Sequence, residues 1–268
     1  MNRILSFLLL SVVAVAASAA KVDTVTVATS NLETPMTVLV VTPDNVQSGE
    51  RFPVAYVLHG YGGDYGDWLS HQPRIKDMAD RYGMIIVHPD GRNSWYMDSP
   101  ANPKVKMETF FIEDLVPFID ANYPTIAEAS KRAITGLSMG GHGALYLAFR
   151  HPDVFGNAGS MSGGVDIRPF PNNWNLDNVL GRFEDYPERW EEAAVINHVK
   201  DIKPGQLNIY FDCGVDDFFA TVNNNLHQAL LEAGIPHDYV SRPGAHTWPY
   251  WNNSLLHHLL FFSEAFNQ

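Results

Sequence analysis

The sequence predicts an α/β fold in which a mostly parallel sheet carries helices on both faces. Two short, continuous apolar runs, Val54–Leu58 and 84–87, have the pattern of strands buried on both sides of a sheet. A helical segment, Ile75–Tyr82, lies between them, and such alternation favours parallel strands joined by right-handed crossovers. The 268 residues suit a single domain of this class.

The segments that precede Val54 are predicted to form an antiparallel pair of strands. Residues 22–29 and Met36–Thr42 partly alternate apolar and polar side chains, and the polar turn 30–33 joins them.

The elements after this unit continue the alternation of strand and helix. Residues 108–122 place Phe111, Leu115, Phe118 and Ile119 at helical spacing. The remaining predicted strands are 132–135, 207–211 and 238–241, and the remaining predicted helices are 142–150, 222–233 and about 250–262.

One stretch, 163–204, departs from this pattern. It has poor periodicity and contains Pro169, Pro171 and Trp174. We expect an insertion over the carboxyl edge of the sheet, where ligands bind in such folds, as either a mobile lid or a fixed wall.

The N-terminus predicts export. Arg3 is followed by an apolar run over 4–17 and then by small residues up to Ala20, which is typical of a cleaved signal peptide over residues 1–20. The run is too short for a membrane-spanning helix. We therefore expect one mature domain over 21–268, located in the periplasm or outside the cell, with no integral membrane span.

The charge and cysteine content narrow the possible partners. A net charge of −12 argues against nucleic acid and anionic membranes, which require clustered lysine and arginine. The single cysteine, Cys213, excludes an internal disulfide, and nothing near it in the sequence would activate it as a nucleophile.

The pentapeptide Gly-Leu-Ser-Met-Gly over 136–140 marks a candidate nucleophile, Ser138. It lies between a predicted strand and a predicted helix, and its glycines permit the tight turn that exposes a serine hydroxyl. This pattern is typical of the nucleophile elbow of α/β-hydrolases. The expected fold is therefore an α/β-hydrolase fold.

A serine nucleophile requires a base and an acid, which in this fold follow it along the chain as acid and then histidine. The loop after strand 238–241 contains His246, our candidate base. The loop after strand 207–211 contains Asp216 and Asp217, either of which could orient that histidine.

Acyl transfer also requires two N–H donors for the oxyanion. Met139, directly after the serine, supplies one. The glycine-rich loop 59–63 is placed to supply the second from Tyr61, or failing that from Gly60, while His59 supports the loop.

We interpret several other histidines as structural residues, not as catalytic bases or metal ligands. We expect His142 to pack at the start of its helix and five further histidines to be surface or capping residues: His151, His227, His237, His257 and His258. No metal-binding spacing of histidines appears, so no metal and no cofactor are expected.

Four motifs together resemble the esterase D family, which includes feruloyl, acetylxylan and tributyrin esterases. They are His-Gly-Tyr-Gly-Gly over 59–63, Gly-Leu-Ser-Met-Gly-Gly over 136–141, Cys-Gly-Val-Asp-Asp over 213–217 and Gly-Ala-His-Thr-Trp over 244–248. The resemblance covers nearly the whole mature chain. It favours Asp217 over Asp216, because the family's acid stands three residues after the glycine of the Cys-Gly turn.

The resemblance also implies where the substrate binds. A loop containing Trp95 and Tyr96 is expected to border the acyl pocket, with Trp248 and Trp174 as weaker candidates for the same wall.

The expected function is a secreted serine carboxylesterase, acting on feruloyl or acetyl esters of plant cell-wall polysaccharide through a Ser138, His246 and Asp217 triad. The alternatives are an S-formylglutathione hydrolase, a short-chain esterase of the tributyrin type, an acyltransferase that excludes water, and a binding module without activity.

Overall fold

A computed structural model describes residues 20–44, 46 and 48–268. The predicted signal peptide lies outside the described residues, apart from Ala20. Within the described part of the chain, no helix is long and apolar enough to cross a membrane.

The described residues form one eight-stranded sheet with the order β1-β2-β4-β3-β5-β6-β7-β8. Strands β1 and β2 pair antiparallel, as do β2 and β4, and the remaining neighbours are parallel. The strands are β1 Lys21–Val27, β2 Met36–Thr42, β3 Val54–Leu58, β4 Ile85–Pro89, β5 Arg132–Gly136, β6 Asn157–Met161, β7 Asn208–Gly214 and β8 Asp238–Arg242.

Nine α-helices connect the strands across the described residues. They are α1 Asp67–His71, α2 Ile75–Tyr82, α3 Met107–Thr109, α4 Val116–Asn122, α5 Met139–Arg150, α6 Asp177–Leu180, α7 Pro187–Ala193, α8 Ala220–Glu232 and α9 Trp248–Phe266. A π-helical segment, Phe110–Leu115, lies between α3 and α4, and 3₁₀ turns occur at Ala129–Lys131 and Val195–Asp201.

The sheet is covered on both faces, which confirms the predicted fold class. Along β3, Tyr56 points into a core shared with α5 and α8, whereas Ala55 and Val57 point into a core shared with α2 and α9. Successive residues of a strand face opposite sides of the sheet, so this continuous apolar run fills both cores.

Strand β6 is the main element that the sequence pattern does not predict. Its sequence, Asn-Ala-Gly-Ser-Met, lacks β-branched and aromatic residues, yet every residue is buried. Tertiary contacts explain why. The Asn157 amide donates to the carbonyls of Ser130 and Arg132, and Gly159 leaves room for the ring of His258.

Several predicted boundaries also shift. The predicted helix 108–122 contains the π-helical segment, helix α5 begins directly after Ser138, and α9 extends two residues earlier and four residues later than expected.

The stretch 163–204 contains α6, α7 and a 3₁₀ turn. Ile167, Leu176 and Trp190 are buried in the same core as α5. We therefore describe this stretch as a packed wall on that side of the sheet.

Candidate active site

Ser138 occupies a sharp turn between β5 and α5. Its φ of 56° and ψ of −116° are strained for a residue with a side chain, and strain of this kind is typical of functional sites. The turn requires its glycines, because a Cβ on Gly140 would lie 2.6 Å from the carbonyl oxygens of Leu58 and His59. The strand, turn and helix thus hold the Ser138 hydroxyl at a partly exposed position.

The structure brings Ser138, His246 and Asp217 together. Ser138 Oγ lies 2.9 Å from His246 Nε2, and His246 Nδ1 lies 2.9 Å from Asp217 Oδ2. Because a carboxylate can only accept, Nδ1 carries the proton and Nε2 presents its lone pair to the Ser138 hydroxyl. This arrangement allows His246 to act as a general base toward Ser138.

The two candidate acids occupy different environments. The Asp217 side chain is fully buried, and its second oxygen accepts the N–H of Phe219 at 2.8 Å. The Asp216 side chain is exposed to solvent. Burial and two hydrogen bonds leave Asp217 as the carboxylate placed to orient His246.

Three aromatic rings pack on the imidazole of His246. Their centroids lie 4.2 Å away for Phe218, 4.8 Å for Trp251 and 5.6 Å for Phe219. Phe219 and Trp251 are buried, so they fix the orientation of the imidazole from within the protein.

The two expected oxyanion donors flank the nucleophile. Met139 is the first residue of α5, where backbone N–H groups have no partner within the helix and the helix dipole favours negative charge. Gly60, which precedes Tyr61, lies so near the elbow that its Cβ would be 3.6 Å from Ser138 Cβ. In the part of the chain that the structure describes, neither the Met139 N–H nor the Tyr61 N–H donates to a protein acceptor.

His59 fixes the peptide unit that carries the second expected oxyanion donor, the Tyr61 N–H. Its Nδ1–H donates to the Gly60 carbonyl at 2.7 Å, and its Nε2 accepts the Gly91 N–H at 2.8 Å. In a trans peptide the carbonyl and the following N–H point in opposite directions. Holding the Gly60 oxygen against His59 therefore turns the Tyr61 N–H away from His59.

The two predicted pocket residues of the 95–96 loop are buried. Tyr96 is 0% exposed, its hydroxyl donates to the His59 carbonyl, and its ring packs against Gly143. Trp95 is 1% exposed and contacts the rings of His142 and Trp174. Both residues have positive φ angles. This placement differs from the predicted wall, because Tyr96 supports the glycine-rich loop 59–63, which we call the oxyanion loop, from the core and Trp95 lies behind Trp174.

Trp248 lies farther from the chemistry than predicted. It is half-buried, stacks on His71 at 3.9 Å and contacts Trp251, so one ring separates it from His246. Trp174, in contrast, is partly exposed and contacts Phe218 and Phe219 on the acid loop.

Two features near the site are not predicted from the sequence. Phe218, directly after Asp217, is 51% exposed and lies against His246. The Asn175 side-chain amide donates to the Tyr61 hydroxyl at 2.7 Å, which connects the 163–204 wall to the oxyanion loop. From the sequence, only the position of Phe218 beside Asp217 and that of Asn175 beside Trp174 could have indicated them.

The prediction that His258 is a surface or capping residue is wrong. Its ring is fully buried, Nε2 lies 3.1 Å from Asp212, and Nδ1 lies 2.8 Å from the Thr135 hydroxyl. Ser254 donates to the same Asp212 carboxylate, so this polar network attaches α9 to the sheet. A strand-end aspartate opposite a helical histidine is the signal that could have suggested it.

Two further groups with potential reactivity, His142 and Cys213, are buried. Burial lowers the pKa of His142 to about 4, and its two ring nitrogens lie near the carbonyls of Trp95 and Ala193. Burial, together with the charge of Asp217, raises the pKa of the Cys213 thiol. No cluster of three or more metal-ligating side chains occurs among the described residues.

Comparison with known proteins identifies relatives of this site. Residues 29–262 match the model of the family described as "Putative esterase". An acetyl esterase of Caldicellulosiruptor saccharolyticus is 28% identical over 234 residues, which cover 81% of this chain and 85% of that protein. Esterase Rv1288 of Mycobacterium tuberculosis is 31% identical over 236 residues, which cover 78% of this chain and 52% of that protein.

Among solved structures, a ferulic acid esterase is 30% identical with a TM-score of 0.79, and the match covers 92% of this chain and 98% of that one. The family match and these relatives agree with the resemblance drawn from the four motifs. The protein is a carboxylic ester hydrolase with the α/β-hydrolase fold, and the chain belongs to this esterase family.

Proposed function

We propose that this enzyme is an exported serine esterase that removes feruloyl or acetyl groups from plant cell-wall polysaccharide. The observation that carries the mechanism is the chain of two 2.9 Å hydrogen bonds from Ser138 through His246 to Asp217. The acyl preference rests on the similarity to a ferulic acid esterase and to an acetyl esterase. Export rests on the N-terminal segment over residues 1–20.

In the first half of the reaction, Ser138 Oγ attacks the ester carbonyl while His246 Nε2 takes the hydroxyl proton. The negative charge that develops on the carbonyl oxygen is stabilised by the N–H groups of Met139 and Tyr61. Buried Asp217 stabilises the imidazolium that forms. His246 then gives its proton to the departing alcohol, and an acyl-enzyme on Ser138 remains.

In the second half, water replaces the alcohol. The His246 side chain is 16% exposed, so solvent reaches the imidazole. His246 removes a proton from the water, the resulting hydroxide attacks the acyl-enzyme, and the carboxylic acid leaves as Ser138 recovers its proton.

The test compares the mature enzyme with Ser138→Ala on p-nitrophenyl acetate and methyl ferulate. Turnover of methyl ferulate that disappears in the variant supports a feruloyl esterase, whereas turnover of the acetate alone supports a deacetylase or short-chain esterase. Cleavage of neither ester would contradict the proposal. Adding glycerol as an acceptor separates hydrolysis from transfer, because a transferase would form the glycerol ester in preference to the free acid.

Export has its own test. When the full chain is produced with a secretion pathway, we expect a mature N-terminus at Lys21 in the periplasm or medium. An intact N-terminus on protein that stays in the cytoplasm would contradict it.

A further inference from the structure

Two stacked aromatic side chains form an open surface beside the catalytic base. Phe218 is 51% exposed, and its ring lies 5.8 Å from that of Trp174 at an interplanar angle of 27°. We call Trp174 and Phe218 the aromatic shelf. Exposed aromatic rings that stack next to a reactive centre are typical of a ligand-binding surface.

Backbone conformation, a hydrogen bond and ring packing hold the aromatic shelf in place. Trp174 and Asn175 both have left-handed backbone conformations, with φ angles of 51° and 49°, which are strained for residues with side chains. The Asn175 bond to the Tyr61 hydroxyl holds this turn against the oxyanion loop. Behind the shelf, Trp174 rests on the buried rings of Trp95 and Phe219.

The position of the aromatic shelf indicates which half of the ester, the acyl group or the alcohol, contacts it. The departing alcohol oxygen must come within about 3 Å of His246 Nε2 to receive its proton. Of the three rings packed on His246, Trp251 and Phe219 are buried, whereas half of Phe218 is open to solvent. The alcohol therefore leaves the reacting centre next to the exposed part of Phe218.

The polar groups around the shelf indicate the kind of alcohol. The exposed asparagines at 172, 173 and 175 flank Trp174, and the exposed Asp216 stands two residues before Phe218. A lipid chain would require a continuous apolar surface. A sugar ring presents C–H groups to an aromatic face and hydroxyls to amides and carboxylates at its edge.

We propose that the aromatic shelf of Trp174 and Phe218 binds the sugar ring of the alcohol, and so selects esters carried on saccharide. This inference rests on the proposed esterase function and adds the leaving-group specificity of the same site.

The test uses two esters with the same acyl group, acetyl or feruloyl, whichever the wild type cleaves. One is the methyl ester and the other is the ester of a xylo-oligosaccharide. We expect Trp174→Ala and Phe218→Ala each to lower the ratio of kcat/KM on the saccharide ester to that on the methyl ester about tenfold, mainly through KM. Phe218→Tyr, which keeps the flat ring, should restore the ratio.

Tyr186→Ala is the matched control, because Tyr186 is an aromatic residue of the same wall that is 40% exposed and is not part of the shelf. Its ratio should equal that of the wild type. Equal losses on both esters in Phe218→Ala would overturn the proposal, because they would show that Phe218 acts only by orienting His246.

Binding of unesterified xylohexaose, measured by calorimetry, tests sugar binding by the shelf independently of esterase activity. Binding by the wild type that is lost in Trp174→Ala supports the shelf even if no ester is cleaved, in which case the proposed function alone fails. Ester cleavage with no xylohexaose binding and an unchanged ratio would overturn the shelf and leave the esterase intact.

Discussion

Replacing His59 with phenylalanine should slow the chemical step, although His59 does not touch the reacting atoms. The variant keeps a ring beside Tyr96 but removes the bond to the Gly60 carbonyl and the acceptor for the Gly91 N–H. The Tyr61 N–H then loses part of its fixed orientation. Complete loss of an oxyanion donor costs about 10²–10³ in kcat.

The loss should be smaller than that limit, because other bonds still hold the loop. Gly63 N–H donates to the Gly60 carbonyl at 3.1 Å, and Asn93 accepts the Gly62 N–H at 2.8 Å. We therefore expect kcat to fall about 10–100-fold with little change in KM. The free energy of unfolding should fall by about 1–3 kcal/mol, since the buried Gly91 N–H is left without its acceptor.

Steady-state kinetics on p-nitrophenyl acetate and urea unfolding measure the two effects separately. His198→Phe is a matched control, because His198 is also buried and also makes two hydrogen bonds, to Asp201 and to the Glu192 carbonyl. It should lose comparable stability and keep its kcat within about twofold. A folded His59→Phe enzyme with wild-type kcat would show that the His59 hydrogen bonds do not position an oxyanion donor.

Two further predictions concern the acid and the pH dependence of stability. Asp217→Asn should lower kcat by about 10⁴, because the asparagine amide favours the wrong imidazole tautomer of His246. Asp216→Asn should change kcat less than about threefold, because the Asp216 side chain is exposed. Equal effects of the two variants on kcat would contradict the assignment of Asp217 as the triad acid. Burial lowers the pKa of His88 to about 4 in the folded protein, against about 6.5 in the unfolded chain. The contribution of this difference to the free energy of unfolding is therefore fully present above pH 6.5 and is lost as the pH falls toward 4. That contribution reaches about 3 kcal/mol, and His88→Leu should flatten the curve of unfolding free energy against pH over this range, while the exposed control His257→Leu should leave its shape unchanged.

The sequence predicts the fold through its continuous apolar strands, because Val54–Leu58 must be buried on both faces. It also places Ser138, His246 and the Asp216 and Asp217 pair at strand ends, and parallel strands bring their carboxyl ends to one edge of the sheet. Strand β6 escapes prediction because its burial depends on partners distant in sequence. Gly159 in that strand is explained only once His258 lies over it.

Side-chain exposure is also beyond sequence reasoning. Trp95, Tyr96, Trp174 and Phe218 are all large aromatic residues in predicted loops, yet two are buried and two form the shelf. The difference arises from strained backbone turns and from packing between separate loops. Pattern and propensity do not describe either of these.

The central claim is that Ser138 is the nucleophile that carries the acyl group, and covalent trapping tests it most directly. The purified enzyme is treated with diethyl p-nitrophenyl phosphate, and the labelled peptide is identified by mass spectrometry. We expect one diethylphosphoryl group on Ser138, loss of esterase activity in proportion to labelling, and no labelling of Ser138→Ala or His246→Ala. Esterase activity that survives complete labelling, or that persists in Ser138→Ala, would contradict it.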